Sequence, residues 1–114
     1  CQVNTLATGP ADTAKKHVPV ISIPEVVKAG QPFTVTIKVG EVPHVMENGH
    51  FIQFVDLYCG HIYISRVDFT AELSRPEVSL SVVLHHQGKR PLRVFSRCNL
   101  HGIWEATKEV NVTK

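Results

Sequence analysis

Charge in runs, long apolar stretches and paired cysteines are all scarce in this chain, and each shortage closes off a class of protein. No apolar run approaches the roughly 20 residues of a membrane-spanning helix. Lys and Arg outnumber Asp and Glu by only two, for a net charge of +2. No basic block forms a binding arm, and the aromatics are not interleaved with a basic stripe, so the pattern predicts no nucleic-acid partner. Three cysteines is an odd count. That excludes a full disulfide framework and leaves at least one thiol free, intermolecular or metal-bound. No stretch of useful length carries a helical period, and there is no internal repeat.

What remains is the make-up of one compact soluble domain. At 114 residues, with 43% hydrophobic and 19% charged, the chain can bury a core without covalent staples. Residues 1–14 are small and polar, with Gly9-Pro10 as punctuation, and read as a flexible N-terminal tail before a domain over 15–114. A first-position cysteine is what signal cleavage leaves in a lipid-anchored exported protein. With Cys1 as such a processed terminus, the chain is a periplasmic or membrane-anchored lipoprotein; otherwise it is cytoplasmic.

The domain reads as all-β. Phe33 to Val39 alternates strictly between apolar and polar, the period of a half-buried strand. Val78, Leu80, Val82 and Leu84 alternate in the same way with Glu77, Ser79 and Ser81. Val18 to Ile23, carrying Pro19, suits an edge strand. Phe51 to Tyr58 and Ile62 to Phe69 form a hairpin turned at Cys59-Gly60. Gln87-Gly88-Lys89 turns the chain into Leu92 to Ser96, and Trp104 to Val112 is the last strand. About seven short strands punctuated by Gly and Pro predict an immunoglobulin-like antiparallel β-sandwich.

Seven histidines are many for this length. His17 precedes the first strand, His44 lies in the Gly40–Gly49 loop, and His50 closes that loop. Cys98 and His101 stand three residues apart before the last strand, with Gly102 permitting a tight backbone of little bulk. Thiolate and imidazole suit iron, copper and zinc. Loops at one end of a sandwich cluster in space, so these five side chains can converge. His61, His85 and His86 read as surface residues, and Cys59 as structural.

Four blocks carry a family resemblance: Lys16-His17-Val18-Pro19, Gly40-Glu41-Val42-Pro43-His44, His50, and Cys98-Asn99-Leu100-His101-Gly102-Ile103-Trp104. In this order they are similar to superoxide reductases of the neelaredoxin and desulfoferrodoxin type, over nearly the whole chain from Lys15 onward. The resemblance implies one iron ion per chain, with His17, His44, His50 and His101 in a plane and Cys98 as axial thiolate. It implies one-electron reduction of superoxide to hydrogen peroxide, with Lys16 drawing the anion in. It also implies an external electron donor such as rubredoxin and a homo-oligomer, dimer or tetramer. The four cysteines of the extra desulfoferrodoxin domain are absent, which places the chain with the one-iron class.

One departure stands out. The common family pattern has a glutamate where this chain has Lys15, which leaves the sixth position of the resting ferric site to solvent, or to Glu47. Two other readings compete. A cupredoxin-like electron carrier would use His44, Cys98 and His101, with Met46 on the wrong loop for its methionine. A non-enzymatic metal-binding immunoglobulin-like module would explain the strands alone.

Overall fold

The computed structural model describes residues 3–4, 16–41 and 44–114. Nine strands occur among them: β1 (Val3–Asn4), β2 (Pro19–Ser22), β3 (Val26–Lys28), β4 (Phe33–Val39), β5 (Ile52–Cys59), β6 (Ile62–Asp68), β7 (Glu77–Val82), β8 (Gly88–Cys98) and β9 (Gly102–Thr113). They form two sheets. The larger runs β1-β9-β8-β5-β6, with β3 also on β9; the smaller runs β2-β4-β7. The all-β, two-sheet architecture expected from the alternation is therefore present.

Alternation builds the core. On β4, Val35, Ile37 and Val39 are wholly buried, while Thr34, Thr36 and Lys38 face outward. Thr36 and Ser79 face each other across β4 and β7 on the outer side, their hydroxyls 3.1 Å apart. Opposite β4, the larger sheet contributes Val55, Leu57, Leu92, Val94, Val110 and Val112. Burying each such side chain contributes about 1.5–3 kcal/mol. The outer face of the larger sheet holds one buried charge, Asp56. Arg66 neutralises it by donating from Nε and Nη2 to the two carboxylate oxygens, at 2.6 and 2.9 Å.

The structure extends the sequence reading at several points. β1 and β3 were not expected, and both pair parallel to β9, at Ile103–Trp104 and at Asn111–Thr113. Of the segment read as a flexible tail, only Val3 and Asn4 are among the described residues, and their backbones belong to β1. The run from Gly88 to Pro91, read as a turn and its exit, is already strand, because Gly88 pairs with Val112 and Pro91 with Glu109. β8 and β9 thereby become the longest strands, with 11 and 12 residues.

Candidate metal centre

The β8–β9 hairpin ends on the Cys98–Gly102 pair, with Asn99-Leu100-His101 as its tip. Cys98 is the last residue of β8 and is fully buried. Gly102 has a φ of 81°. A Cβ there would meet nothing within 4 Å, so glycine serves backbone conformation at this point and not lack of room.

Strand register brings the other segments to the same end. Pro19 pairs with Val39, and the Gly40 N–H donates to the Val18 carbonyl at 3.2 Å. His17 therefore sits where β4 finishes and the His44 segment begins. Ile52 pairs with Cys98, which sets His50 beside the hairpin tip. The result is a closed ring of imidazoles. Centroid separations are 4.6 Å for His17–His44, 4.9 Å for His44–His50, 5.2 Å for His50–His101 and 4.8 Å for His101–His17. Neighbouring rings stand at 66–80° to one another. Cys98 Sγ lies 3.6 Å from His101 Nδ1. One donor atom each from His17, His50, Cys98 and His101 falls within 4.8 Å of all the others.

His44 completes the ring through a different contact: its Nε2 is 3.0 Å from His17 Nε2. Two imidazole nitrogens bound to one metal at right angles, each about 2.1 Å from it, stand about 3.0 Å apart. The His44 ring is oriented by Nδ1, which donates to the Val45 carbonyl at 2.6 Å. A neutral imidazole protonated on Nδ1 presents the Nε2 lone pair, the form that ligates. Burial, followed by the nearby charges of His17, His50 and His101, lowers the His44 pKa from 6.5 to about 4, against the Val45 hydrogen bond, which raises it. His50 Nε2 is buried and has no hydrogen-bond partner. Such an atom costs about 1–3 kcal/mol unless something satisfies it, and a cation at the centre of the ring would. Four imidazoles and a thiol are borderline-to-soft donors suited to a transition metal. The residues present thus fit the iron that the resemblance implies.

The supporting contacts of two residues escaped the sequence reading. Ser96, wholly buried on β8, donates its hydroxyl to the His17 carbonyl at 2.8 Å and ties the N-terminal segment to the larger sheet. Trp104 closes the Cys98–Trp104 block and reads from its own pattern as an apolar strand residue, with no contact to the site expected of it. It stacks on the His17 ring at 5.1 Å and 23°, and its Nε1–H donates to the His101 carbonyl at 3.1 Å. A serine on the apolar face of a strand was the one local signal for Ser96.

Lys16 is exposed beside His17, with Lys15, Val42 and Pro43 outside the described residues. Met46 packs against the core. His61, His85 and His86 are exposed. Cys59 lies at the other end of β5 from Ile52, and burial pushes its thiol pKa up, as suits an unreactive structural thiol. Cys1 is outside the described residues.

Comparison with known proteins agrees with this geometry. Residues 10–107 match the Desulfoferrodoxin family model. A Methanocaldococcus jannaschii protein, provisionally named a superoxide reductase, is 45% identical over 113 residues, covering 96% of this chain and 94% of its own. The superoxide reductase of Pyrococcus furiosus is 34% identical over 108 residues, covering 80% and 85%. Among solved structures, the superoxide reductase (neelaredoxin) of Ignicoccus hospitalis superposes with a TM-score of 0.86 at 36% identity, covering 97% of this chain and 95% of that one. With its family model matched over most of its length and its ring of histidines closed beside Cys98, this chain belongs to the desulfoferrodoxin family.

Proposed function

We propose that the chain is a superoxide reductase, converting superoxide with one electron and two protons into hydrogen peroxide at a single iron held by His17, His44, His50, His101 and Cys98. The observation that carries this reading is the closed ring of four imidazoles with the Cys98 sulfur beside it. Iron bound there would supply the electron, by passing from the ferrous to the ferric state.

The chain's own residues do the rest. The five donors carry one formal negative charge, that of the Cys98 thiolate, so they do not cancel a divalent ion and an anion is still attracted. These five side chains would hold the iron while leaving it able to take a small substrate. Cys98 is fully buried, which keeps its thiolate dry and shields it from oxidants. His101, by contrast, is exposed, so the site opens to water, the source of the two protons. Lys16, exposed next to His17, places a cation at that opening and raises the encounter rate of the anion. An external one-electron donor of the rubredoxin kind completes the cycle.

A copper carrier using His44, Cys98 and His101 would leave His17 and His50 idle. Those two are instead integral to the ring, and Met46 packs against the core.

The test is elemental analysis followed by rapid mixing with superoxide. The expected result is one iron per chain and one peroxide formed per superoxide consumed. Copper or zinc as the bound metal, or one peroxide for every two superoxides, would defeat the proposal. Cys98→Ser should remove the thiolate-to-ferric absorption.

A further inference from the structure

We infer that Asn99 is a positioning residue for the metal centre, its carboxamide clasping the backbone on both sides of His50 and fixing that imidazole against the Cys98–His101 turn. This rests on the assignment of His50 as a ligand.

Three hydrogen bonds carry the argument. Asn99 Nδ2 donates to the Gly49 carbonyl at 2.8 Å. The Phe51 N–H donates to Asn99 Oδ1 at 2.9 Å. The Asn99 N–H donates to the Phe51 carbonyl at 3.2 Å. The two side-chain bonds thus land one residue before and one residue after His50, across sequence separations of 50 and 48. A carbonyl only accepts and an N–H only donates, so the orientation of the amide is set by its partners. A carboxylate in its place would keep the bond from Phe51 and lose the one to Gly49.

His50 needs such a clasp more than the other ring members do. The His44 ring is held by the Val45 carbonyl, and the His17 ring is stacked on Trp104. Among the described residues, no hydrogen bond reaches the His50 ring. Its orientation comes through its backbone. That backbone is a tight turn, closed by reciprocal 3.0 Å bonds between Glu47 and His50, with Gly49 at a φ of 92°. Without Asn99 the turn keeps its own shape, but its side-chain tie to the hairpin tip is gone.

The experiment is a double-mutant cycle on the iron-loaded protein, read by the rate of iron release to excess chelator and by the thiolate-to-ferric absorption band. Asn99→Ala should speed release about tenfold or more and shift the band. In a His50→Ala background it should change neither, because its effect passes through His50. Unchanged release in Asn99→Ala, or the same acceleration in both backgrounds, would overturn the inference and leave Asn99 a loop staple. Release unaffected by His50→Ala would defeat the ligand assignment itself. Asn99→Asp should fall between wild type and Asn99→Ala, and it carries the same cycle if the alanine variant does not fold.

Discussion

At neutral pH the ligating form of histidine is the unprotonated one, and His44 is held in it before any ion arrives. Its pKa of about 4 in the fold, against 6.5 in an open chain, has a consequence for the metal-free protein. Between those values the unfolded chain binds a proton that the folded chain does not. Stability therefore rises with pH across that window and is lost as pH falls from about 6.5 toward 4. Thermal melts of chelator-treated protein should show Tm falling over this range, and His44→Gln should flatten the fall. The five ring and thiol residues were legible in the sequence because each stands at a strand end or in a loop, where a rigid scaffold displays function. The roles of Ser96 and Asn99 were not, because they act on backbone groups 79 and about 50 residues away, contacts that no local pattern encodes.

The β8–β9 hairpin supplies two of the five proposed ligands from one turn, so the turn's backbone sets their spacing. Gly102→Ala puts a side chain into a left-handed conformation, at a cost of about 1–2 kcal/mol. The surrounding space is open, so no clash adds to that. A Tm about 4–8 °C lower, together with faster iron loss, is the expected outcome by calorimetry and chelator competition. An unchanged Tm would mean that the tip relaxes freely. The same distinction explains which strands could be read in advance. β4 and β7 announce themselves by period two. β1 and β3 have two and three residues and pair parallel to β9, too short to show a period. The early part of β8 looked like a turn because Gly88 and Pro91 are turn residues, and pairing with β9 overrides that preference.

Across the whole molecule, three separate stretches of chain meet at one end of the sandwich, and Lys16 is exposed beside one of them. Substrate capture should then depend on the few cations at that end. Lys16→Ala should lower the second-order rate with superoxide several-fold at low salt. The wild-type rate should fall as ionic strength rises and the Debye length shrinks to about 8 Å at 0.15 M. A rate insensitive to salt in both proteins would remove Lys16 from the mechanism. The stack of Trp104 on His17 has one more consequence. Trp104 is the sole tryptophan of the chain, so all of its indole fluorescence originates 5.1 Å from a proposed ligand ring. A paramagnetic ion held by that ring quenches the emission, and its departure restores it. Loading, loss and unfolding of this protein can each be followed by light, with no label attached.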